Sequence, residues 1–256
     1  MAYLEINEVS KSYQEPGKPA VPVLDRLSLS VGKGEFVSIF GPNGCGKSTL
    51  LNVVADLIHY EAGSILIGGR KPSESRIGFV FQKYGESLFP WLRNIDNIAF
   101  SLSSSPGSRR EKRNDVWTFV KEMGMEALPL ERYPYQCSAG QQQLVALARE
   151  LIYRPDVLLM DEPFVSLDYD RRLSQQENLL GTWAKTKSTI LFVSHDLDEA
   201  IYLADRMILL SHRPAKIHAS FDITLARPRT VATLASDEFF KIKAPILQAF
   251  REIIGK

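Results

Sequence analysis

The sequence predicts an α/β fold built on a mostly parallel sheet, and three observations carry that expectation. Apolar runs of strand length recur at 35–40, 157–160 and 189–193, the composition of strands buried on both faces. Each run ends on glycine or on polar residues: Gly41, the pair Asp161-Glu162, and Ser194-His195-Asp196. Open α/β sheets bind their ligands at such carboxyl ends. The first run also passes through a glycine-rich turn into a leucine-rich stretch beginning at Leu50, which reads as strand, loop, helix.

That turn, Gly41-Pro42-Asn43-Gly44-Cys45-Gly46-Lys47-Ser48-Thr49, fits the spacing G-x-x-x-x-G-K-[ST]. In such a loop glycines let backbone N–H groups close around phosphate oxygens, a lysine reaches the outer phosphates and a hydroxyl binds Mg²⁺. Gly41, Gly44 and Gly46 supply the permissive backbone, Lys47 the charge and Ser48 the metal ligand. A helix growing from Lys47 adds the positive end of its dipole. The core is therefore expected to be of the P-loop NTPase type. Cys45 is expected to be a small filler of the loop, lying beneath the phosphates at a helix start where a thiol can be more acidic than usual, and to be protected from alkylation by Mg-ATP.

With 256 residues and 45% hydrophobic content, the chain can bury one large core, alone or with a subdomain. Lysine and arginine number 31 against 30 acids, a net charge of +1, so nothing in the balance asks for a nucleic-acid partner. Cys45 and Cys137 lie far apart, outside any zinc-ligand spacing, as expected of reduced thiols in a cytosolic compartment. No export leader is apparent at the start, and no window resembles a membrane span, so any work at a membrane requires another chain to hold this one there.

In chain order, residues 4–11 and 23–31 alternate partially around a Pro/Gly-rich loop at 14–22 and read as strands of a half-exposed sheet. Tyr13 ends the first, where an exposed aromatic can stack on a purine. A helix is expected over 48–58, strands over 63–69 and 77–81, and Gln82 at the tip of the second. Helical patterns follow at 94–102, 109–123 and 141–152, with a solvated Ser/Pro/Gly loop at 103–108. Aromatics beside prolines at 87–92 and 133–135 suit either a partner groove or a subdomain core. Asp161 can hold Mg²⁺ and Glu162 can polarise an attacking water. His195, at the tip of a neighbouring parallel strand, can reach a γ-phosphate. A helix at 197–204, strands at 206–210 and 215–223 and an amphipathic helix at 236–254 complete the chain.

Taken in order, the phosphate loop, Gln82, Cys137-Ser138-Ala139-Gly140-Gln141, Asp161-Glu162, Ser166-Leu167-Asp168 and His195 resemble the ATP-binding subunit of ABC transporters over nearly the whole chain. The resemblance implies a nucleotide-binding core with a small N-terminal antiparallel β subdomain (1–83 and 156–215), an inserted helical subdomain (84–155) and a C-terminal strand and helix packed on the core (216–256). It implies two copies head to tail, with ATP between one copy's phosphate loop and the other's signature motif.

By the same resemblance Tyr13 stacks on adenine, Gln82 contacts Mg²⁺ and the water while sensing the membrane partner, and Asp161 and Glu162 are the Walker B acid and catalytic glutamate. His195 is the switch histidine, and Asp168 couples the two sites. Lys47 and Ser48 stabilise phosphate charge, and Ser138, Gly140 and Gln141 of the partner meet the γ-phosphate. The family usually reads Leu-Ser-Gly-Gly-Gln where this chain has Cys137 and Ala139. Were the backbone at Ala139 to need positive φ, its Cβ would cost about 1–2 kcal/mol.

Leu88-Phe89-Pro90-Trp91, the segment 94–100 and Arg227-Pro228-Arg229 look like importers of nitrate, sulfonates, taurine and related compounds. Implied partners are a transmembrane permease, at the cytoplasmic face of the membrane, and indirectly a substrate-binding protein. The alternatives are a non-transport ABC protein, which would carry a coiled-coil insertion or tandem cassettes, and a regulatory module with weak hydrolysis.

Overall fold

Five parallel strands with one antiparallel edge form the central sheet in a computed structural model that describes residues 2–165 and 167–255. Their ranges are β3 (Phe36–Phe40), β5 (Ile77–Val80), β6 (Val157–Asp161), β7 (Thr189–Val193), β8 (Arg206–Leu210) and the edge strand β9 (Ile217–Asp222), in the order β5-β6-β7-β3-β8-β9. Strands β3 and β7 are buried along their whole length, as their mostly apolar composition demands, and Ser38 within β3 is satisfied by donating to Ala200 O at 3.0 Å. A second, antiparallel sheet runs β2-β1-β4, from β1 (Ala2–Tyr13), β2 (Val21–Gly32) and β4 (Ala62–Ile67).

Side-chain alternation along β3 sorts the core into two layers. Val37 and Ile39 face α1 (Lys47–Val54), whose Leu50, Leu51, Val53 and Val54 pack between the two sheets with Leu4, Ile6 and Leu27. Phe36 and Phe40 face the opposite layer. That layer holds α3 (Asn94–Ala99), α4 (Arg109–Met123), α5 (Ala139–Ile152), α6 (Tyr169–Thr186), α7 (Leu197–Leu203) and α9 (Asp237–Ile254), with the short helices α2 (Tyr84–Ser87) and α8 (Val231–Leu234) completing the set among the described residues.

Most expected elements are present, with shifted ends. Helix α1 stops at Val54 because Asp56 takes a left-handed φ of 59°, well short of residue 58. Helix α5 starts two residues early, at Ala139, behind the N-cap Ser138. The eighteen-residue helix α6 has no counterpart among the expected elements. Its buried face is only Gln176, Leu179, Leu180, Thr182 and Trp183 within a strongly polar stretch, too thin a stripe to announce itself.

Candidate functional site

Register decides which residues meet. Ile39 of β3 pairs with Val193 of β7, and Val193 pairs with Asp161 of β6. The phosphate loop, the Asp161-Glu162 pair and the 194–196 turn therefore leave the sheet at one end, the carboxyl end of these parallel strands. On β5, Val80 pairs with Met160, which sets Gln82, exposed two residues past the strand end, level with Glu162.

The loop from Gly41 into α1 is shaped by glycine where other residues would fail. Gly44 has φ 71° and Gly46 φ 126°, and a Cβ on Gly46 would lie 2.9 Å from Val23 Cγ1. Asn43 and Gly44 are exposed, and Pro42 accepts from the Cys45 N–H at 3.3 Å. Lys47 is buried with its Nζ donating to the carbonyls of Gly41 (2.9 Å) and Pro42 (3.0 Å). Ser48 is exposed at the start of α1, with Thr49 half-buried beside it. Arg213, not singled out from sequence, donates to the Gly44 carbonyl at 2.7 Å. Its signal was faint, a lone cation after an apolar strand.

Cys45 packs as the loop filler expected of it. It is 2% exposed, and burial raises its thiol above the ordinary range despite the nearby positive charge of Lys47. The thiol is a small packing group rather than an acidic one.

Burial raises Asp161, while a hydrogen bond from Ser48 pulls it down, the charge of Glu162 pushes it up and Lys47 pulls it down. Its Oδ1 is buried without a hydrogen-bond partner among the described residues. An orphaned buried carboxylate oxygen beside a hydroxyl is a hard-oxygen donor set, and it suits Mg²⁺. Glu162 follows with a left-handed φ of 46° and its N–H bonded to Val193 O at 3.0 Å. Strain of that kind, about 1–3 kcal/mol, collects at functional positions. Its Oε2 lies 3.0 Å from His195 Nδ1; the histidine side chain is 44% exposed and the glutamate's 19%.

Other expected site residues lie in separate settings. Tyr13 is exposed at the end of β1, with Lys11 Nζ 5.4 Å over its ring. It pairs with Val21, two residues before the Val23 that abuts Gly46. Asp168 is the N-cap of α6, accepting from Arg171 N at 3.0 Å. Ser166 lies outside the described residues.

Ser138 and Gln141 form a capping box at the start of α5, with Ser138 N donating to Gln141 Oε1 at 3.1 Å. They line, with Gly140 and Asp170, Arg171 and Gln175 of α6, a shallow recess of about 350 Å³ in which no phosphate-loop residue takes part. Ala139 has no positive φ, so its Cβ carries no strain there. Cys137 packs inward, its Sγ 3.1 Å from Asn94 Nδ2.

A phosphate loop, two carboxylates and a histidine at one end of this sheet define the class: the chain belongs to the ABC transporter family, as an ATP-hydrolysing cassette. The family model described as "ABC transporter" matches residues 24–165. The chain is 41% identical over 250 residues to the aliphatic sulfonates import ATP-binding protein SsuB of Bacillus cereus, covering 96% of this chain and 95% of that one. It is 38% identical over 256 residues to the uncharacterized ABC transporter ATP-binding protein MJ0412 of Methanocaldococcus jannaschii, covering 99% and 93%. Among solved structures, the dimeric post-hydrolysis ATP-binding cassette MJ0796 bound to ADP and Pi superimposes with a TM-score of 0.73 at 28% identity, over 87% of this chain and all of that chain.

Proposed function

We propose that two copies of this chain hydrolyse Mg-ATP between them and so drive a membrane permease that imports a small sulfonate-, nitrate- or taurine-like solute. The observation that carries it is the pairing of Glu162 Oε2 with His195 Nδ1 at 3.0 Å, set by strand register beside Lys47, Ser48 and Asp161. Glu162 takes the proton of the attacking water, His195 orients Glu162 and reaches the γ-phosphate, and Lys47 offsets phosphate charge. Ser48 and Asp161 would hold Mg²⁺ together with Gln82; the ion supplies charge neutralisation on the phosphates.

Tyr13 provides a stacking face for the adenine, and the loop amides of 41–49 cradle the phosphates. Ser138, Gly140 and Gln141, turned to a recess away from their own phosphate loop, serve the other copy's nucleotide, with Asp168 coupling the two sites. We assign residues 1–83 and 156–215 to the nucleotide-binding core, 84–155 to the helical subdomain and 216–256 to the C-terminal part.

A groove of about 750 Å³ lined by Trp91, Arg93, Arg109, Arg113, Trp117 and Tyr133 lies on the helical part, with Trp91 70% exposed. Such a patch suits a cytoplasmic loop of the permease and supports reading the chain as peripheral at the inner membrane face; no helix among the described residues is long and apolar enough to cross a bilayer. A substrate-binding protein would deliver the solute to that permease. The reading of a regulator with weak hydrolysis drew on Ala139, and the helical backbone there gives it no support.

Turnover of Glu162→Gln tests the proposal. Losing the general base should slow ATP hydrolysis by roughly 10²–10⁴-fold, about 3–5 kcal/mol, while ATP binding persists and an ATP-bound dimer accumulates. Wild-type turnover in that variant would remove Glu162 from its role.

A further inference from the structure

Glu199 lies in the first turn of α7, four residues beyond His195, and is 7% exposed. A carboxyl so buried requires partners, and it has them on two sides. Gln176 Nε2, on α6, donates to Oε1 at 2.8 Å, and the hydroxyl of Ser194, immediately before His195, donates to Oε2. Ser194 Oγ also accepts from the Asp196 N–H at 2.9 Å, so one hydroxyl engages both flanks of His195. Asp196 in turn caps α7 through the N–H groups of Asp198 (2.9 Å) and Glu199 (3.2 Å), and it pairs with Arg172 of α6 at 3.1 Å.

The two reacting partners are held unequally. Glu162 is fixed by the sheet through its N–H on Val193 O. The His195 ring, 44% exposed, has Glu162 as its hydrogen-bond partner among the described residues, so its placement comes from the 194–196 turn. That turn has two ties to α6, a buried one through Glu199 and Gln176 and an outer one through Asp196 and Arg172, and α6 begins behind its N-cap Asp168.

We propose that Glu199 is a positioning residue for hydrolysis: its carboxyl, acting through Ser194, holds the turn carrying His195 at working distance from Glu162 and makes that distance depend on where α6 sits. The inference rests on the reading above, in which His195 and Glu162 act as a pair. Its physical basis is that a misplacement of about 1 Å at a reacting group can cost roughly 10²-fold in rate.

The test compares steady-state ATPase of the full chain with that of Glu199→Ala, Glu199→Gln and Ser194→Ala, together with the ¹⁵N shifts of the His195 ring. Glu199→Ala and Ser194→Ala should each lower kcat roughly ten- to hundredfold with KM for Mg-ATP little changed, and should move the His195 ring nitrogens away from their Glu162-bonded shifts. Glu199→Gln, which can still accept from Gln176 and donate to Ser194, should retain most of kcat and the native shifts. Should Glu199→Ala fail to fold, Ser194→Ala set against Glu199→Gln decides the matter.

Unchanged kcat and histidine shifts in the alanine variants would overturn the proposal, as would a glutamine variant as slow as alanine. Turnover surviving in Glu162→Gln or His195→Ala would instead sink the underlying reading. Loss there with full activity in both alanine variants would sink the positioning role alone.

Discussion

At the scale of single residues, Glu162 and Glu199 show two ways in which this fold commits stability to its site. Glu162 accepts a left-handed φ of 46° to put its carboxylate against His195. Glu199 is buried behind the same histidine, and burial raises its carboxyl from an ordinary 4.5 to about 7, against the lowering effect of its bonds to Ser194 and Gln176. Between those two values the folded chain keeps a proton that the unfolded chain has released. Stability from this group is full below about pH 4.5 and is lost as pH rises through 7, by up to roughly 3 kcal/mol. Urea unfolding at stepped pH should show that decline in the wild type and a flatter profile in Glu199→Gln; identical slopes would mean the carboxyl is ionised throughout.

At the scale of elements, α7 is secured at both ends, and the far end explains Arg227-Pro228-Arg229. Arg229, 4% exposed, donates to the carbonyls of Ile201 (3.2 Å), Tyr202 (2.9 Å) and Ala204 (2.8 Å) and to that of Leu225 (3.2 Å). Burial first, then neighbouring Arg227, lowers its guanidinium to about 10, so it stays charged at neutral pH and suits the negative end of the helix. Arg227 bonds Asp205 at 2.7 Å and lies 4.1 Å over the Trp183 ring of α6. Replacing Arg229 with methionine strands several buried carbonyls and should cost about 3 kcal/mol, or a fall of roughly 5–10 °C in Tm by calorimetry. A Tm within a degree or two of wild type would show that water or relaxation replaces the cap.

The elements also show how far the linear pattern could be read. Strands β3, β6 and β7 were legible because burial on both faces leaves a mostly apolar run, and α1 because its loop has a spacing with one purpose. Helix α6 was not, because it is anchored by a short apolar stripe and by polar ties such as Gln176 to Glu199 that have no sequence period. The phosphate loop, Asp161, Glu162 and His195 stand out by their places after strands. Glu199, Arg172 and Arg229 do not, since each depends on a partner 23 to 28 residues away in the chain.

At the scale of the whole molecule, the signature residues and the phosphate loop lie in separate settings, with no phosphate-loop residue lining the signature recess. Ser138, Gly140 and Gln141 share their recess with α6, and the loop 41–49 leaves the carboxyl end of the parallel strands beside Asp161 and His195. If each half-site is completed by a second copy, a bulky cation at the signature should block pairing without touching nucleotide capture. Ser138→Arg placed in the Glu162→Gln background should therefore bind ATP with near-parent affinity and remain monomeric by analytical ultracentrifugation, where the parent dimerises. An ATP-dependent dimer in the double variant would place the contact elsewhere.

By itself the sequence determined the α/β class, the phosphate loop and the acidic and imidazole groups, because those depend on local spacing and on continuous burial that any short window displays. Only the tertiary structure decided that Glu162 and His195 touch, that Asp161 keeps an orphaned oxygen, that burial raises the Cys45 thiol, that Ala139 is unstrained, and that the histidine turn is tied to α6 through Glu199. Each of these follows from strand register and packing between distant segments, and a one-residue slip of β6 against β7 would undo the first without altering a single motif.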